Sequence, residues 1–179
     1  MVQIYHKKKI TMILWFTGIS GVGKSLIAKN LYKILHKTKK NLVHIDGDIF
    51  RKMLGNDLGY SLKDRDRNAV RIINFVSFLN KQGINVIVSA NLTSQKYRLY
   101  CKNNFKKFLE VNIYADYKIL KKRDKKKIYN SKNLSNVVGY GIKNTKNNTA
   151  SYKITNNGSK KEFLRNIYKI NKIIKKRLI

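Results

Sequence analysis

The feature that most constrains this chain is Gly18-Ile19-Ser20-Gly21-Val22-Gly23-Lys24-Ser25, which fills every fixed position of the pattern G-x-x-x-x-G-K-[S/T]. An apolar run, Met12 to Thr17, precedes it. Apolar residues at helical spacing follow it in Ser25 to Lys37: Leu26/Ile27, Leu31 and Ile34/Leu35. In a strand–loop–helix of this kind, main-chain N–H groups converge on an anion. Glycines let the backbone approach without a Cβ in the way, and the helix start turns its positive dipole end to the same point. The loop therefore predicts a phosphate cradle at Gly18, Ser20, Gly21, Val22, Gly23, Lys24 and Ser25. Lys24 would bridge the β- and γ-phosphates of ATP, and Ser25 would ligate Mg²⁺.

The rest of the chain alternates short apolar runs with helical patterns, the signature of a parallel sheet covered by helices. Strands are expected at Met12–Thr17, Leu42–Asp46, Ile84–Ala90, Leu109–Tyr114 and Tyr152–Thr155. Helices are expected at Ser25–Lys37, Asp64–Gln82, Ser94–Phe108, from about Asp116, and at Lys160–Arg177. The Asp64–Gln82 helix would bury Val70, Ile73, Phe75/Val76 and Leu79 and stop at Gly83. Lys121 to Ser135 is densely basic with few apolar anchors and reads as a lid, and the polar residues 143–151 read as loop. A length of 179 residues suits one core. The expected organisation is a basic tail over residues 1–11 and a single domain over 12–179, with the lid at about 121–142.

Charge is the unusual global property: 40 Lys and Arg against 9 Asp and Glu, a formal net charge of +31. Such a field gathers polyanions, so nonspecific nucleic-acid binding is expected alongside attraction of anionic substrates. Asn, Ile, Lys and Tyr are abundant and Pro is absent, as AT-rich codons produce, but that bias does not account for so few acids. The lone Cys101 excludes a disulfide framework within the chain, and the scattered His6, His36 and His44 argue against a metal role for them. No apolar run reaches the roughly 20 residues of a membrane span. The apolar N-terminal stretch runs straight into the glycine loop without a cleavage site, so the expected setting is cytoplasmic.

Two further segments narrow the chemistry. The third strand ends Val86-Ile87-Val88-Ser89-Ala90 without the terminal acid that a motor ATPase carries to hold its metal. The second ends in Asp46-Gly47-Asp48-Ile49-Phe50-Arg51, where an acceptor meets the γ-phosphate at a strand's carboxyl end. One of these two aspartates would take the proton of an acceptor hydroxyl and the other would orient Mg²⁺ through water. Arg51 would clamp an acceptor phosphate. A plain capping turn with Asp48 as N-cap is the structural alternative.

Trp15-Phe16-Thr17 with the glycine loop, Asp46 to Arg51, Asn56-Asp57-Leu58-Gly59-Tyr60-Ser61 with Asp64-Arg65 and Asn68, and Arg123-Asp124-Lys125-Lys126-Lys127-Ile128-Tyr129 occur in that order over residues 12–142. Together they resemble the adenylyl sulfate kinases. The resemblance implies an α/β, three-layer P-loop kinase fold, with a parallel sheet of about five strands, helices on both faces and a basic lid. It also implies transfer of the ATP γ-phosphoryl group, with Mg²⁺, to the 3′-hydroxyl of adenylyl sulfate, and commonly a homodimer. On the matching positions Asp48 would be the base with Asp46 beside it. Arg51, Arg65 and Asn68 would hold the acceptor, Tyr60 would stack on its base, Lys126 would close with the lid, and Arg123 would lie near ATP. Leu92 and Thr93 of Asn91-Leu92-Thr93-Ser94-Gln95 stand where the family has Ile-Ser-Pro, whose serine is sometimes phosphorylated. Val137 of Val137-Val138-Gly139 stands where the family has a phenylalanine that stacks on the acceptor's adenine, and one such contact is worth ~1–3 kcal/mol. Lys127 replaces the lid glycine. A sister kinase acting on another nucleotide, such as cytidine diphosphoramidate, suits the altered pocket. A basic nucleic-acid-binding protein or polynucleotide kinase is the reading from another class.

Overall fold

The computed structural model describes residues 11–124, 129, 135, 137, 138 and 150–177. Five strands form one sheet in the order β2-β3-β1-β4-β5: β1 Met12–Thr17, β2 Leu42–Asp46, β3 Asn85–Ser89, β4 Lys107–Tyr114 and β5 Tyr152–Thr155. Every pairing is parallel. β1 is central because it is buried along its whole length, and its alternating apolar side chains seed two cores. Met12, Leu14 and Phe16 pack with α1 (Lys24–Leu35) and α6 (Lys160–Arg177) on one face. Ile13 and Trp15 pack with α3 (Leu62–Lys81) and α4 (Gln95–Asn104) on the other. The result is the three-layer α/β fold expected from the sequence, with helices on both faces of a five-stranded parallel sheet. Trp15 stays buried because its indole Nε1–H donates to the Ala90 carbonyl at 2.9 Å, which satisfies its polar edge.

Several boundaries differ from the expectation. A short helix, α2 (Gly47–Met53), follows β2 directly, and its N-cap is Asp46 rather than Asp48. α3 buries Ala69, Ile72, Ile73 and Val76, a stripe rotated from the expected one. Phe75 turns sideways to stack on Phe50 of α2, with centroids 5.5 Å apart, and Val70 is only half-buried. The Ser61 hydroxyl caps α3 by accepting from the Asp64 N–H at 3.1 Å and donating to its carboxylate at 2.7 Å. α4 stops at Asn104, and β4 already begins at Lys107, because Phe105 and Phe108 are needed against the second core. Lys121–Arg123, placed at the start of the lid, belong to α5 (Tyr117–Arg123). Most of the expected lid, including Lys126 and Lys127, lies outside the described residues, as do 1–10 of the basic tail. Among the described residues no helix is long and apolar enough to cross a membrane.

Candidate active site

The glycine loop links β1 to α1 at the carboxyl edge of the sheet. Gly18 has φ 137°, and a Cβ there would collide with the Ile113 carbonyl oxygen of the neighbouring strand. The close approach of β1 to β4 therefore fixes this glycine. At Gly23 (φ 104°), the residue before α1, a Cβ would stand 2.9 Å from Asn156 Nδ2 and 3.0 Å from the Phe163 ring. Val22 is fully buried in the first core, so it can offer a ligand only its backbone. Lys24 Nζ donates to the carbonyls of Gly18 (2.8 Å) and Ile19 (2.9 Å), folded back over the cradle its charge would otherwise share with phosphate.

Asp46 organises the side of the loop next to Ser25. Its Oδ2 accepts from Ser25 Oγ at 2.5 Å and from Ser89 Oγ at 2.9 Å. Its Oδ1 accepts from the N–H groups of Asp48 (3.1 Å) and Ile49 (3.4 Å). Burial alone would raise its pKa, but the bonds from Ser25 and Ser89 and from the two amides outweigh it. The carboxyl is held below its ordinary value and stays ionised at neutral pH. Ser25 donates its only proton to Asp46, so its oxygen lone pairs remain for a cation. Among the described residues no three His, Cys, Asp or Glu side chains gather as a metal cage. That fits Mg²⁺, which takes few protein ligands and completes its octahedron with water and substrate phosphates.

A second cluster lies one turn further along α2. Asp48 is exposed in the first turn of the helix, facing the charge of Arg65. Arg65 Nε donates to the Tyr60 carbonyl at 2.9 Å. Its pKa is lowered by burial and by Arg51, with Asp48 and Tyr60 acting in the opposite sense. The guanidinium carbons of Arg51 and Arg65 lie 4.4 and 5.4 Å from the centroid of the Tyr60 ring. Arg51 is 3% exposed, and its Nε and Nη1 are buried without a hydrogen-bond partner. Asn68 donates to the Gly47 carbonyl at 3.2 Å, while its buried Oδ1 accepts from nothing. Buried polar groups are nearly always paired, so the unpartnered atoms of these two side chains stand out. Leu92 is fully buried in the second core, leaving only its backbone for a substrate. Thr93 Oγ1 donates to Asp66.

Other expected site residues fall elsewhere. Arg123 donates to the carbonyls of Asn156 (2.7 Å) and Gly158, and Asn156 Nδ2 donates in turn to the Val22 carbonyl at 2.9 Å. Arg123 thus reaches the phosphate loop through the segment after β5. Val137 packs into the first core at 8% exposure, with Tyr129 in the same cluster. Tyr129 closes over the loop. Its hydroxyl donates to the Ser20 carbonyl at 2.5 Å, its N–H donates to Asp124, and burial and the Asp124 charge raise its pKa to about 12. Ser89, His44, Asn156 and Tyr129 went unnoticed as site residues in the sequence. Strand register could have found Ser89, since β3 pairs it with Asp46. A depression of about 900 Å³ lies outside the first half of α3 between Asp57 and Tyr97, and no phosphate-loop residue lines it.

Comparison with known proteins accords with this geometry. Residues 10–153 match the family model for adenylylsulphate kinase. Over 133 residues the chain is 36% identical to the cytidine diphosphoramidate kinase of Campylobacter jejuni, covering 73% of this chain and 78% of that one. Over 121 residues it is 40% identical to the adenylyl-sulfate kinase of Buchnera aphidicola from Acyrthosiphon pisum, covering 66% of this chain but only 59% of that protein. The fold superposes on the Mycobacterium tuberculosis APS kinase CysC, solved in complex with AMPPNP and APS. The TM-score is 0.78 at 24% identity, covering 92% of this chain and 98% of that one, a likeness of fold. The chain belongs to the adenylylsulphate kinase family of P-loop, ATP-dependent kinases.

Proposed function

We propose that this chain transfers the γ-phosphoryl group of Mg²⁺·ATP to the 3′-hydroxyl of adenylyl sulfate, giving 3′-phosphoadenylyl sulfate. The carrying observation is the buried Arg51 guanidinium with two unpartnered nitrogens, one helical turn from Asp48 and beside an aromatic ring. A cation without a partner in such a place suits the anionic phosphosulfate of an acceptor whose hydroxyl points towards the γ-phosphate. The main-chain amides of residues 18–25 hold the ATP phosphates, and Lys24 leaves the carbonyls of Gly18 and Ile19 to bridge the β- and γ-groups. Ser25 holds Mg²⁺, with Asp46 behind it. When bound, the ion would supply positive charge to the phosphate oxygens. Asp48 accepts the proton of the 3′-hydroxyl as its oxygen attacks, and ADP leaves. Arg51, Arg65 and Asn68 hold the acceptor, Tyr60 stacks on its base, Lys126 joins with the lid and Arg123 steadies the ATP end.

The same reading takes residues 12–179 as one kinase domain behind a basic tail (1–11), with the lid at about 121–142. The setting is the cytoplasm and the working form a homodimer. The high positive charge adds nonspecific attraction to nucleic acid.

A second acceptor, cytidine diphosphoramidate, is supported by Val137, an aliphatic residue tucked into the first core where the family places a stacking phenylalanine. The name of the Campylobacter jejuni relative points the same way. An ADP-release assay with Mg²⁺·ATP separates the two, run against adenylyl sulfate, cytidine diphosphoramidate, plain nucleoside phosphates and oligonucleotide ends. Adenylyl sulfate should give the highest kcat/KM. Preference for the cytidine compound selects the second reading, and turnover on oligonucleotide ends alone overturns both.

A further inference from the structure

His44 is not part of the phosphate cradle, yet the sheet aims it there. Alternation along β2 puts Leu42, His44 and Asp46 on the α1 face, and β2–β3 pairing sets Ser89 beside Asp46 and Ile87 beside His44. On α1 and its C-cap, Ser25, Lys29, Tyr32 and His36 follow one another at helical spacing along the side that covers this strip. His44 Nε2 lies 3.0 Å from Ser89 Oγ, Ser89 Oγ lies 2.9 Å from Asp46 Oδ2, and Asp46 Oδ2 lies 2.5 Å from Ser25 Oγ. The four side chains form one line from an imidazole to the hydroxyl at the first turn of α1.

Proton bookkeeping along that line has one solution. The Asp46 carboxylate is ionised and only accepts. Ser89 has a single hydroxyl proton, which must go to Asp46, so its oxygen must accept from His44. His44 must therefore carry a proton on Nε2. The groups that face the imidazole are Asp46 on its own strand, Ser89 on β3, and Lys29 and Tyr32 on α1. The Tyr32 ring lies 6.4 Å from His44 and stacks on His36. Burial and the Lys29 charge disfavour a second proton on His44 against the pull of Asp46.

We propose that His44 is a positioning residue for the cation site. Its Nε2–H turns the Ser89 hydroxyl onto Asp46, and the doubly bonded Asp46 oxygen then holds the Ser25 proton, so that the Ser25 lone pairs face the mouth of the phosphate loop. This inference rests on the nucleotide-binding reading of the loop. It goes beyond that reading in assigning part of the metal affinity to a strand residue that touches neither ion nor nucleotide.

Binding of ADP, measured by calorimetry with and without Mg²⁺, tests the proposal apart from turnover. Wild-type protein that fails to bind Mg²⁺·ADP would defeat the nucleotide reading itself. If it binds, His44→Leu should weaken Mg²⁺·ADP about threefold to tenfold, the scale of one lost hydrogen bond. Metal-free ADP should bind as before. His44→Gln, whose amide still donates, should recover most of the loss, and Ser89→Ala should reproduce the His44→Leu defect without adding to it. Equal weakening of metal-free and metal-bound ADP, or additive losses in the double variant, overturns the relay. A long-range ¹H–¹⁵N spectrum of the wild-type imidazoles needs no variant to fold. A proton on Nε2 of His44 is expected, and a proton found only on Nδ1 refutes the arrangement.

Discussion

The Arg51 guanidinium lies over the ring of Tyr60, its central carbon 4.4 Å from the centroid, while two nitrogens of the same group are buried with nothing to bond. The stacking contact contributes about 0.5–1 kcal/mol. A buried donor without an acceptor costs about 1–3 kcal/mol. The desolvation cost is the larger, so the fold carries Arg51 at a loss that the proposed anionic acceptor would remove.

Arg51→Met keeps the apolar stem and deletes the orphaned donors. In the absence of ligand it should stabilise the protein by about 1 kcal/mol, a rise of about 2–4 °C in Tm for a chain of this size. The acceptor KM should rise at least tenfold while the affinity for ATP stays the same. Thermal unfolding and initial rates check both halves, and a drop in Tm would show that Arg51 is an ordinary packing residue.

Much of the scaffold was legible in the sequence because its signals are local. Met12 to Phe16 is apolar throughout and became, with Thr17, the central strand. The glycine loop fixed its own neighbours, and Tyr152–Thr155 and Lys160–Arg177 begin and end as their patterns predict. The misreadings came from tertiary packing. α2 is too short to show a helical period, so the sequence offers Asp48 as the N-cap of a turn, whereas Asp46, the last residue of β2 as expected, caps the helix. The stripe on α3 was displaced because Phe75 serves Phe50 rather than the sheet. Ser89 and His44 became site residues only through strand register, and Asn156 only through a bond back to Val22. None of these relations has a sequence spacing to reveal it.

On the proposed mechanism Asp48 and Lys24 serve different steps. Asp48 stands exposed in the first turn of α2, where the proposed mechanism has it take the proton of an acceptor hydroxyl, whereas Lys24 folds onto the carbonyls of the phosphate loop. Asp48→Asn should therefore leave ADP and ATP affinity within about twofold and lower kcat by ~10²–10⁴, the usual range for a lost general base. Lys24→Ala should instead weaken ATP itself and abolish release with every acceptor. Near-normal kcat in Asp48→Asn would return the base assignment to Asp46.

Asp46 ties strand, helix and loop together, and its ionisation is coupled to the fold. Its folded pKa lies below its ordinary value of 3.8, so the unfolded chain binds the proton more readily. The stability this provides is fully present above the ordinary value and is lost as pH falls through the lower folded one. Asp46→Asn should be less stable than wild type at pH 7, with the gap narrowing below about pH 4. Urea midpoints measured from pH 7 down to pH 3 read the trend. A gap that widens on acidification would contradict the assigned direction.

The ion pair between Arg98 of α4 and Glu110 of β4 sits in the second layer, with Nε and Oε1 3.1 Å apart and side chains only 6% and 2% exposed. Thr17 of β1 donates to the same carboxylate oxygen at 2.7 Å, so Glu110 links the central strand, its neighbour and the helix above them. Burying both charges costs several kcal/mol per ion, and their attraction roughly offsets it; removing one partner leaves the other uncompensated, at about 3–5 kcal/mol. Arg98→Met alone and Glu110→Gln alone should each fall in that range. Together they leave no buried charge, and the glutamine oxygen still accepts from Thr17. The double variant should therefore lose at least 2 kcal/mol less than the two single losses combined, read from urea denaturation in a double-mutant cycle. Simple additivity would mean that each side chain is held by its other neighbours and that the pair does not tie α4 to the strand bearing the phosphate loop.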